Sequence, residues 1–171
     1  MLNADRARNI GCWILKDCTA FSSVKRIILN IGDVVVSNEP AVLETVLGSC
    51  VSLCLWDEQS KTGGMNHFML PELTEGLKDT SCCGSESIAR LINKLRSLGT
   101  DIRTVKAKLF GGGRVIRELG NSFDIGEKNI KAAKDILMEY DIPIVKEFTG
   151  PDYGIKVVFY TATGKAFVKK I

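Results

Sequence analysis

Over most of the chain, apolar residues either alternate with polar ones or form short β-branched runs. Both patterns predict strands. Residues 27–36 read as one such stretch, with a turn or bulge at Gly32 and Asp33. The other predicted strands span residues 42–47, 51–56, 63–70, 103–110, 142–148, 155–161 and 165–171. The last two predict a closing hairpin that turns at residues 162–164.

Two segments have the helical period instead. Residues 85–98 place Ile88, Leu91, Ile92, Leu95 and Leu98 on one stripe, with Gly99 as the cap. Residues 126–140 predict a second helix. The predicted elements are seven or eight strands and two helices. Because several strands follow one another without a helix between them, the order favours an α+β fold with largely antiparallel sheets over a doubly wound parallel fold. We predict a single domain over residues 25–171, preceded by an N-terminal extension over residues 1–24.

Composition narrows the class of protein. Hydrophobic residues make up 45% and charged residues 25%, values typical of a soluble globular protein and not of a disordered chain. The net charge of +3 is too small to indicate a nucleic-acid partner. No apolar run is long enough to span a membrane, and the N-terminus lacks the features of a signal peptide. We therefore expect a cytoplasmic protein with reduced cysteines.

The candidate chemistry centres on Cys50 and on His67, the one histidine of the chain. Cys50 follows Gly48 and Ser49 at a turn between two predicted strands, and a returning hairpin would place His67 beside it. Imidazole can activate a thiol as a nucleophile, and backbone N–H groups near Gly48 and Cys50 could stabilise an oxyanion. On pattern alone two other interpretations stay open. Cys50, Cys54 and His67 could be structural side chains, or they could be ligands of zinc.

Longer motifs surround this pair. Residues 45–55 read TVLGSCVSLCL and residues 64–71 read GMNHFMLP. Further motifs are KLFGGG at residues 108–113, IGEKNI at residues 125–130 and TGK at residues 163–165. Together they closely resemble the chemoreceptor glutamine deamidase CheD family, in order, over about residues 25–171. The resemblance implies a catalytic domain with a layered sandwich of mixed sheets flanked by two main helices, related to cysteine-dependent deamidating toxins.

The resemblance also implies catalytic roles. Cys50 corresponds to the nucleophile and His67 to the base, and the third functional residue is a Thr shortly before the Cys. Thr45 is the one Thr there, and its neighbour Glu44 is the alternative for that position. The implied reaction converts Gln side chains of chemoreceptors to Glu by acyl transfer in chemotaxis adaptation, without a metal or an organic cofactor. The same machinery could hydrolyse receptor methyl esters.

Substrate and partner contacts complete the prediction. The substrate-binding candidates are Gly48, Ser49, Asn66, Gly111, Gly112 and Arg114. Five basic residues could steer an acidic receptor helix: Arg103, Lys106, Lys108, Arg114 and Arg117. The expected partners are the cytoplasmic helices of chemoreceptors and a CheC-type phosphatase, with no nucleic acid and no membrane insertion, and the protein is expected to be a monomer. The alternative function is a chemotaxis binding module that acts mainly through the CheC-type partner.

Overall fold

The computed structural model describes residues 24–72, 80–114 and 125–171, so the predicted extension through residue 23 lies outside the described residues. Within these ranges the chain forms nine strands, two α-helices and a 3-10 turn at Ile102–Thr104. The strands are β1 (Lys25–Ile28), β2 (Val34–Ser37), β3 (Ala41–Leu47), β4 (Val51–Asp57), β5 (Thr62–Asn66), β6 (Lys106–Gly111), β7 (Ile144–Thr149), β8 (Ile155–Tyr160) and β9 (Ala166–Lys170). The helices are α1 (Gly84–Ser97) and α2 (Ile125–Glu139).

The strands form two mixed sheets. The four-stranded outer sheet has the order β1-β3-β8-β9, and the five-stranded central sheet has the order β2-β5-β4-β6-β7. All neighbouring pairs are antiparallel except β1 with β3 and β6 with β7, which are parallel. The predicted α+β class is therefore confirmed. The likeness to deamidating toxins stays a prediction.

Strand β4 shows how the layers stack. Its odd-numbered residues Val51, Leu53 and Leu55 pack with apolar side chains of α1 and α2 in one core. Cys54 lies in a second core with residues of the outer sheet such as Leu43. Since successive side chains of a strand point to opposite faces, the central sheet separates the helices from the outer sheet. The molecule thus has three layers and two cores.

Three predicted strands differ clearly from the observed ones. The strand predicted over residues 63–70 ends at Asn66. Residues 27–36 form two strands that lie in different sheets, because the chain reverses at Gly32, whose φ is +89°. Asp33 stabilises this reversal, because its carboxylate accepts a hydrogen bond of 2.8 Å from the backbone N–H of Asn30. The observed count is consequently one strand above the predicted maximum of eight. The strand predicted from Arg103 begins at Lys106, since the preceding residues form the 3-10 turn.

Candidate active site

The ladder between β4 and β5 opens where the candidate residues lie. It is regular from Asp57↔Thr62 to Cys54↔Met65 and then resumes at one isolated bridge, Val51↔Phe68. Between these points the side chain of Asn66 replaces a backbone partner, because its Oδ1 accepts a hydrogen bond of 2.8 Å from the N–H of Leu53. Asn66, predicted to bind substrate, is fully buried and holds the sheet together at this point.

The backbone of His67 faces away from β4, because its position follows the hydrogen-bonded pair Val51↔Phe68 in an antiparallel ladder, where such pairs alternate with non-bonded ones. Its N–H donates instead to the carbonyl of Asp33 at 3.1 Å, and its carbonyl accepts from the N–H of Gly32 at 2.7 Å. The turn between β1 and β2 therefore holds the backbone of His67 from the side. This turn was predicted from the sequence, but its contact with His67 was not.

The bridge at Val51 and Phe68 brings Cys50 and His67 to one face of the central sheet. Val51 and Phe68 exchange two backbone hydrogen bonds of 3.0 and 2.9 Å and both pack in the helix-side core. Cys50 and His67, adjacent to this pair, point to the opposite face. Cys50 stands opposite Met69 in this register, so His67 is its diagonal neighbour, and side chains at diagonal positions can reach each other. The thiol is partly exposed and the imidazole is 5% exposed.

Thr45 of β3 orients the imidazole from the outer sheet. Its Oγ1 lies 2.8 Å from His67 Nδ1 and 2.9 Å from the carbonyl oxygen of Leu29. A carbonyl only accepts, so the single hydroxyl proton of Thr45 goes to Leu29, and Oγ1 must accept a proton from Nδ1. Neutral His67 therefore carries its proton on Nδ1. Its Nε2 has a free lone pair and no hydrogen-bond partner among the described residues.

Glu44, the alternative for the third position, points away from His67. Its carboxylate lies between Lys156, whose Nζ is 2.5 Å away, and Arg26. Alternation along β3 accounts for this difference, since neighbouring residues of a strand face opposite sides. Of the two candidates, Thr45 is the one that the fold brings to His67.

Burial sets the protonation states of both candidate catalytic groups. It lowers the pKa of His67, although the Leu29 carbonyl and the charge of Asp33 act in the opposite direction. It raises the pKa of the Cys50 thiol, and the backbone N–H of Cys50 itself opposes that rise. Both groups are consequently neutral at rest, Cys50 as a thiol and His67 as an imidazole.

The glycine run after β6 holds the loop that carries Cys50. The N–H of Gly112 donates to the carbonyl of Cys50 at 2.8 Å, and the N–H of Gly113 donates to that of Gly48 at 2.7 Å. Gly111 has φ +99°, and a Cβ there would lie 2.2 Å from the carbonyl oxygen of Cys50. Only glycine permits this close approach of two backbones. Gly111 and Gly112 therefore support the loop that carries Cys50 through their backbones.

The basic residues do not form one patch. Arg103 pairs with Asp101 at 2.7 Å, and Lys108 donates to the carbonyl of Gly164 at 2.5 Å. Arg103 precedes β6 and Arg114 follows it, so the two lie at opposite ends of the strand. The guanidinium of Arg114 is 3.5 Å from the carboxylate of Glu127. Arg117 lies outside the described residues. Of the four members of this set that the structure describes, Arg114 directly follows the glycine run, Lys106 and Lys108 lie within β6, and Arg103 precedes it.

Sequence reasoning missed two contributors to this site. One is the carbonyl of Leu29, which no side-chain motif reveals. The other is Asn129 of α2, which is fully buried and contacts the backbones of Ser49 and Met69. Asn129 lies in the IGEKNI motif, which signalled a resemblance but not a contact. Among the described residues, no group of three or more His, Cys, Asp or Glu side chains could hold a metal ion.

Comparison with known proteins identifies the family. The model of the CheD family, described as chemotactic sensory transduction, matches residues 69–170. A probable chemoreceptor glutamine deamidase CheD of Rhodospirillum rubrum is 37% identical over 150 residues, covering 88% of this chain and 85% of that protein. This chain belongs to the CheD family. Proteins with the same name in Saccharophagus degradans and Laribacter hongkongensis are 36% and 37% identical, and each match covers 82% of this chain.

The match to the CheD relative of Rhodospirillum rubrum includes the candidate site. The family model begins at Met69, after both Cys50 and His67. The alignment with this relative, however, covers 88% of the chain. The residues that it leaves out are fewer than the residues before Thr45, and also fewer than the residues after His67. It must therefore contain the whole segment between Thr45 and His67. Among solved structures, a hypothetical protein of Bacillus licheniformis, YfiH, is similar at 14% identity and a TM-score of 0.46, too weak a likeness for any inference.

Proposed function

We propose that this protein is a glutamine deamidase that converts specific Gln side chains of chemoreceptors to Glu, and so takes part in chemotactic adaptation. The observation that carries the proposal is the free Nε2 of neutral His67, held by Thr45 on the face of the sheet that also presents Cys50. The CheD relatives, whose printed names specify chemoreceptor glutamine deamidase, support the choice of substrate. The polar groups needed for acyl transfer are thus present in this chain.

The first half of the reaction forms a thioester. Nε2 of His67 accepts the proton of the Cys50 thiol as the sulfur attacks the side-chain amide carbon of the substrate Gln. The carbonyl oxygen becomes an oxyanion, which the N–H of Cys50 stabilises. Protonated His67 then gives its proton to the amide nitrogen. The C–N bond breaks, ammonia leaves, and the acyl group remains on sulfur.

The second half releases Glu. Nε2 of His67 accepts a proton from water, which attacks the thioester carbon. The C–S bond breaks, the thiol of Cys50 takes the proton back, and the product is a carboxylic acid. Thr45 accepts from Nδ1 throughout, so it keeps Nε2 directed at the reacting atoms. A methyl ester would react in the same way with methanol as the leaving group, and none of these steps needs a metal or an organic cofactor.

Partners and location form part of the same proposal. A soluble enzyme of this kind would meet its substrate at the cytoplasmic helices of chemoreceptors. No helix within the described ranges is long and apolar enough to cross a membrane. The cytoplasmic location, the CheC-type phosphatase partner and the monomeric state stay predictions.

The decisive experiment is mass spectrometry of a receptor cytoplasmic fragment after incubation with the protein. We expect conversion of specific Gln residues to Glu by the wild type and none by Cys50→Ala or His67→Ala. Cys82→Ala is the matched control, because it removes another partly exposed thiol and should keep the activity. Conversion by a folded Cys50→Ala variant would refute the assignment of the nucleophile. Absence of conversion by the wild type would refute the proposed activity on that substrate.

A further inference from the structure

Asn129 of α2 spans the two loops that carry the candidate catalytic residues. Its Nδ2 donates to the carbonyl of Met69 at 2.8 Å and to the carbonyl of Ser49 at 3.3 Å. Ser49 directly precedes Cys50, and Met69 follows His67 by two residues. We propose that Asn129 is a positioning residue, whose carboxamide ties these loops together and thereby sets the position of the thiol relative to the imidazole.

The chemistry of the carboxamide fits this task. Both acceptors are backbone carbonyls, so both protons of the Asn129 side-chain nitrogen are committed, one to each loop. A carboxylate of the same shape would have oxygen atoms facing two carbonyl oxygens, and a serine would offer only one proton. The amide group is therefore specific for joining two carbonyls from one point.

Asn129 is also a costly side chain for a buried helix face. Its Oδ1 is buried without a hydrogen-bond partner among the residues that the structure describes, and leaving such an atom unsatisfied is unfavourable. The other buried side chains that follow on α2 are Ala133 and Leu137, which are apolar. Packing alone would favour an apolar residue at position 129. The contacts with Ser49 and Met69 supply a reason for the polar one.

Loss of the carboxamide should leave the fold in place. The loop that carries Cys50 keeps its hydrogen bonds to Gly112 and Gly113, and the bridge between Val51 and Phe68 stays intact. What disappears is the side-chain link between the carbonyls of Ser49 and Met69, on the side of that bridge where Cys50 lies. A small shift of a catalytic group can lower a rate by up to about 100-fold.

The test compares Asn129→Ala and Asn129→Asp with Leu137→Ala, a buried substitution on the same helix that contacts the core and not the loops. The first readout is the rate of Cys50 alkylation by iodoacetamide as a function of pH, located by mass spectrometry. It needs no receptor, so it reports the coupling of thiol and imidazole whether or not the protein deamidates. We expect both Asn129 variants to react at rates between those of the wild type and His67→Ala, and Leu137→Ala to react like the wild type.

The second readout is deamidation of the receptor fragment, and only this part rests on the proposed function. We expect kcat to fall about 10- to 100-fold in the Asn129 variants, with KM within about twofold of the wild-type value. If the wild type fails to deamidate while the alkylation result holds, the proposed function fails and the positioning role stands. A wild-type alkylation profile in a folded Asn129 variant would overturn the inference. Loss of folding in both Asn129 variants would also overturn it, since Asn129 would then determine folding.

Discussion

The location of one proton decides whether His67 can act as a base. With the proton on Nδ1, the lone pair of Nε2 is available to the thiol, and with the opposite tautomer it is not. Thr45 makes this choice because its own proton is committed to the carbonyl of Leu29. Thr45 is thus argued to act through His67, without contacting the substrate.

Substitution of Thr45 tests this role. Thr45→Val keeps the shape but removes the acceptor for Nδ1–H, and we expect kcat to fall about 10- to 100-fold, the equivalent of one hydrogen bond to a group that becomes charged. Thr45→Ser keeps the acceptor and should remain close to the wild type. Steady-state kinetics on a receptor fragment measure both. Equal kcat values for the Val variant and the wild type would contradict the orienting role.

The pH dependence of the reaction follows from the neutral resting pair. Protonation of Nε2 removes the base, so activity falls as the pH falls through the pKa of His67. Burial lowers that pKa below its ordinary value of 6.5, so we expect the acid limb of kcat/KM to have its midpoint below pH 6.5. If the resting enzyme instead held a thiolate and an imidazolium, the acid limb would report the pKa of the thiol, and that pKa would have to be lowered. Burial raises the pKa of Cys50, which argues against this alternative. A midpoint above pH 6.5 would contradict the geometry described for His67.

At the scale of elements, the end of β6 supports the loop that precedes β4. Gly111 and Gly112 were predicted to bind substrate, and that role stays a prediction. Their contact partner, the backbone of Cys50, comes from the pairing of β6 with β4, in which Gly111 stands opposite Val51. Pairing between strands so distant in the chain is not visible in a local pattern.

Gly111→Ala should disturb this support. The new Cβ would meet the carbonyl oxygen of Cys50 at 2.2 Å, so the loop that carries Cys50 must move, and both activity and stability should decrease. Gly99→Ala is the matched control, because Gly99 also has positive φ, at +84°, but has no atom within 4 Å of the added Cβ. It should lose about 1–2 kcal/mol of stability from backbone strain and keep its kcat. Similar kcat losses in both variants would show that strain, and not the clash with Cys50, determines the effect.

Local pattern predicted some elements well and others poorly, for physical reasons. Both helices were predicted to within one residue at each end, because their apolar stripes have a clear 3.6-residue period. The chain reversal at Gly32 was recognised, but periodicity could not show that β1 and β2 join different sheets. Asn129 was missed as a site residue, since its acceptors are carbonyls of residues about 60 and 80 positions away.

At the scale of the whole molecule, the candidate site draws on all three layers. Thr45 belongs to the outer sheet, Cys50 and His67 flank strands of the central sheet, and Asn129 belongs to the helical layer. The relative position of the layers therefore controls the geometry of the site. This arrangement explains why a hairpin pattern could suggest the Cys–His pair, whereas Thr45 was predicted only from the family resemblance and Asn129 was missed.

Glu44 links three strands of the outer sheet without contacting the site. Its carboxylate on β3 joins Arg26 of β1 and Lys156 of β8, and it is 5% exposed. The hydrogen bond from Lys156 is the main cause that lowers the pKa of Glu44 below its ordinary value of 4.5, and Arg26 adds to it. Glu44 therefore stabilises the outer sheet. The effect of substituting Glu44 on stability can be separated from the effect of substituting its neighbour Thr45 on activity.

Glu44→Gln should lower stability at neutral pH and leave kcat unchanged. Because the pKa is lower in the folded state than in the unfolded state, the contribution of the carboxylate is fully present above pH 4.5 and is lost as the pH falls through the folded-state value. The difference in Tm between wild type and variant should accordingly be largest near neutral pH and should shrink below pH 4.5. Thermal unfolding followed by circular dichroism across this range measures the difference, and deamidation kinetics at neutral pH provide the comparison. A large loss of kcat in a folded Glu44→Gln variant would instead favour Glu44 over Thr45 as the third residue of the site.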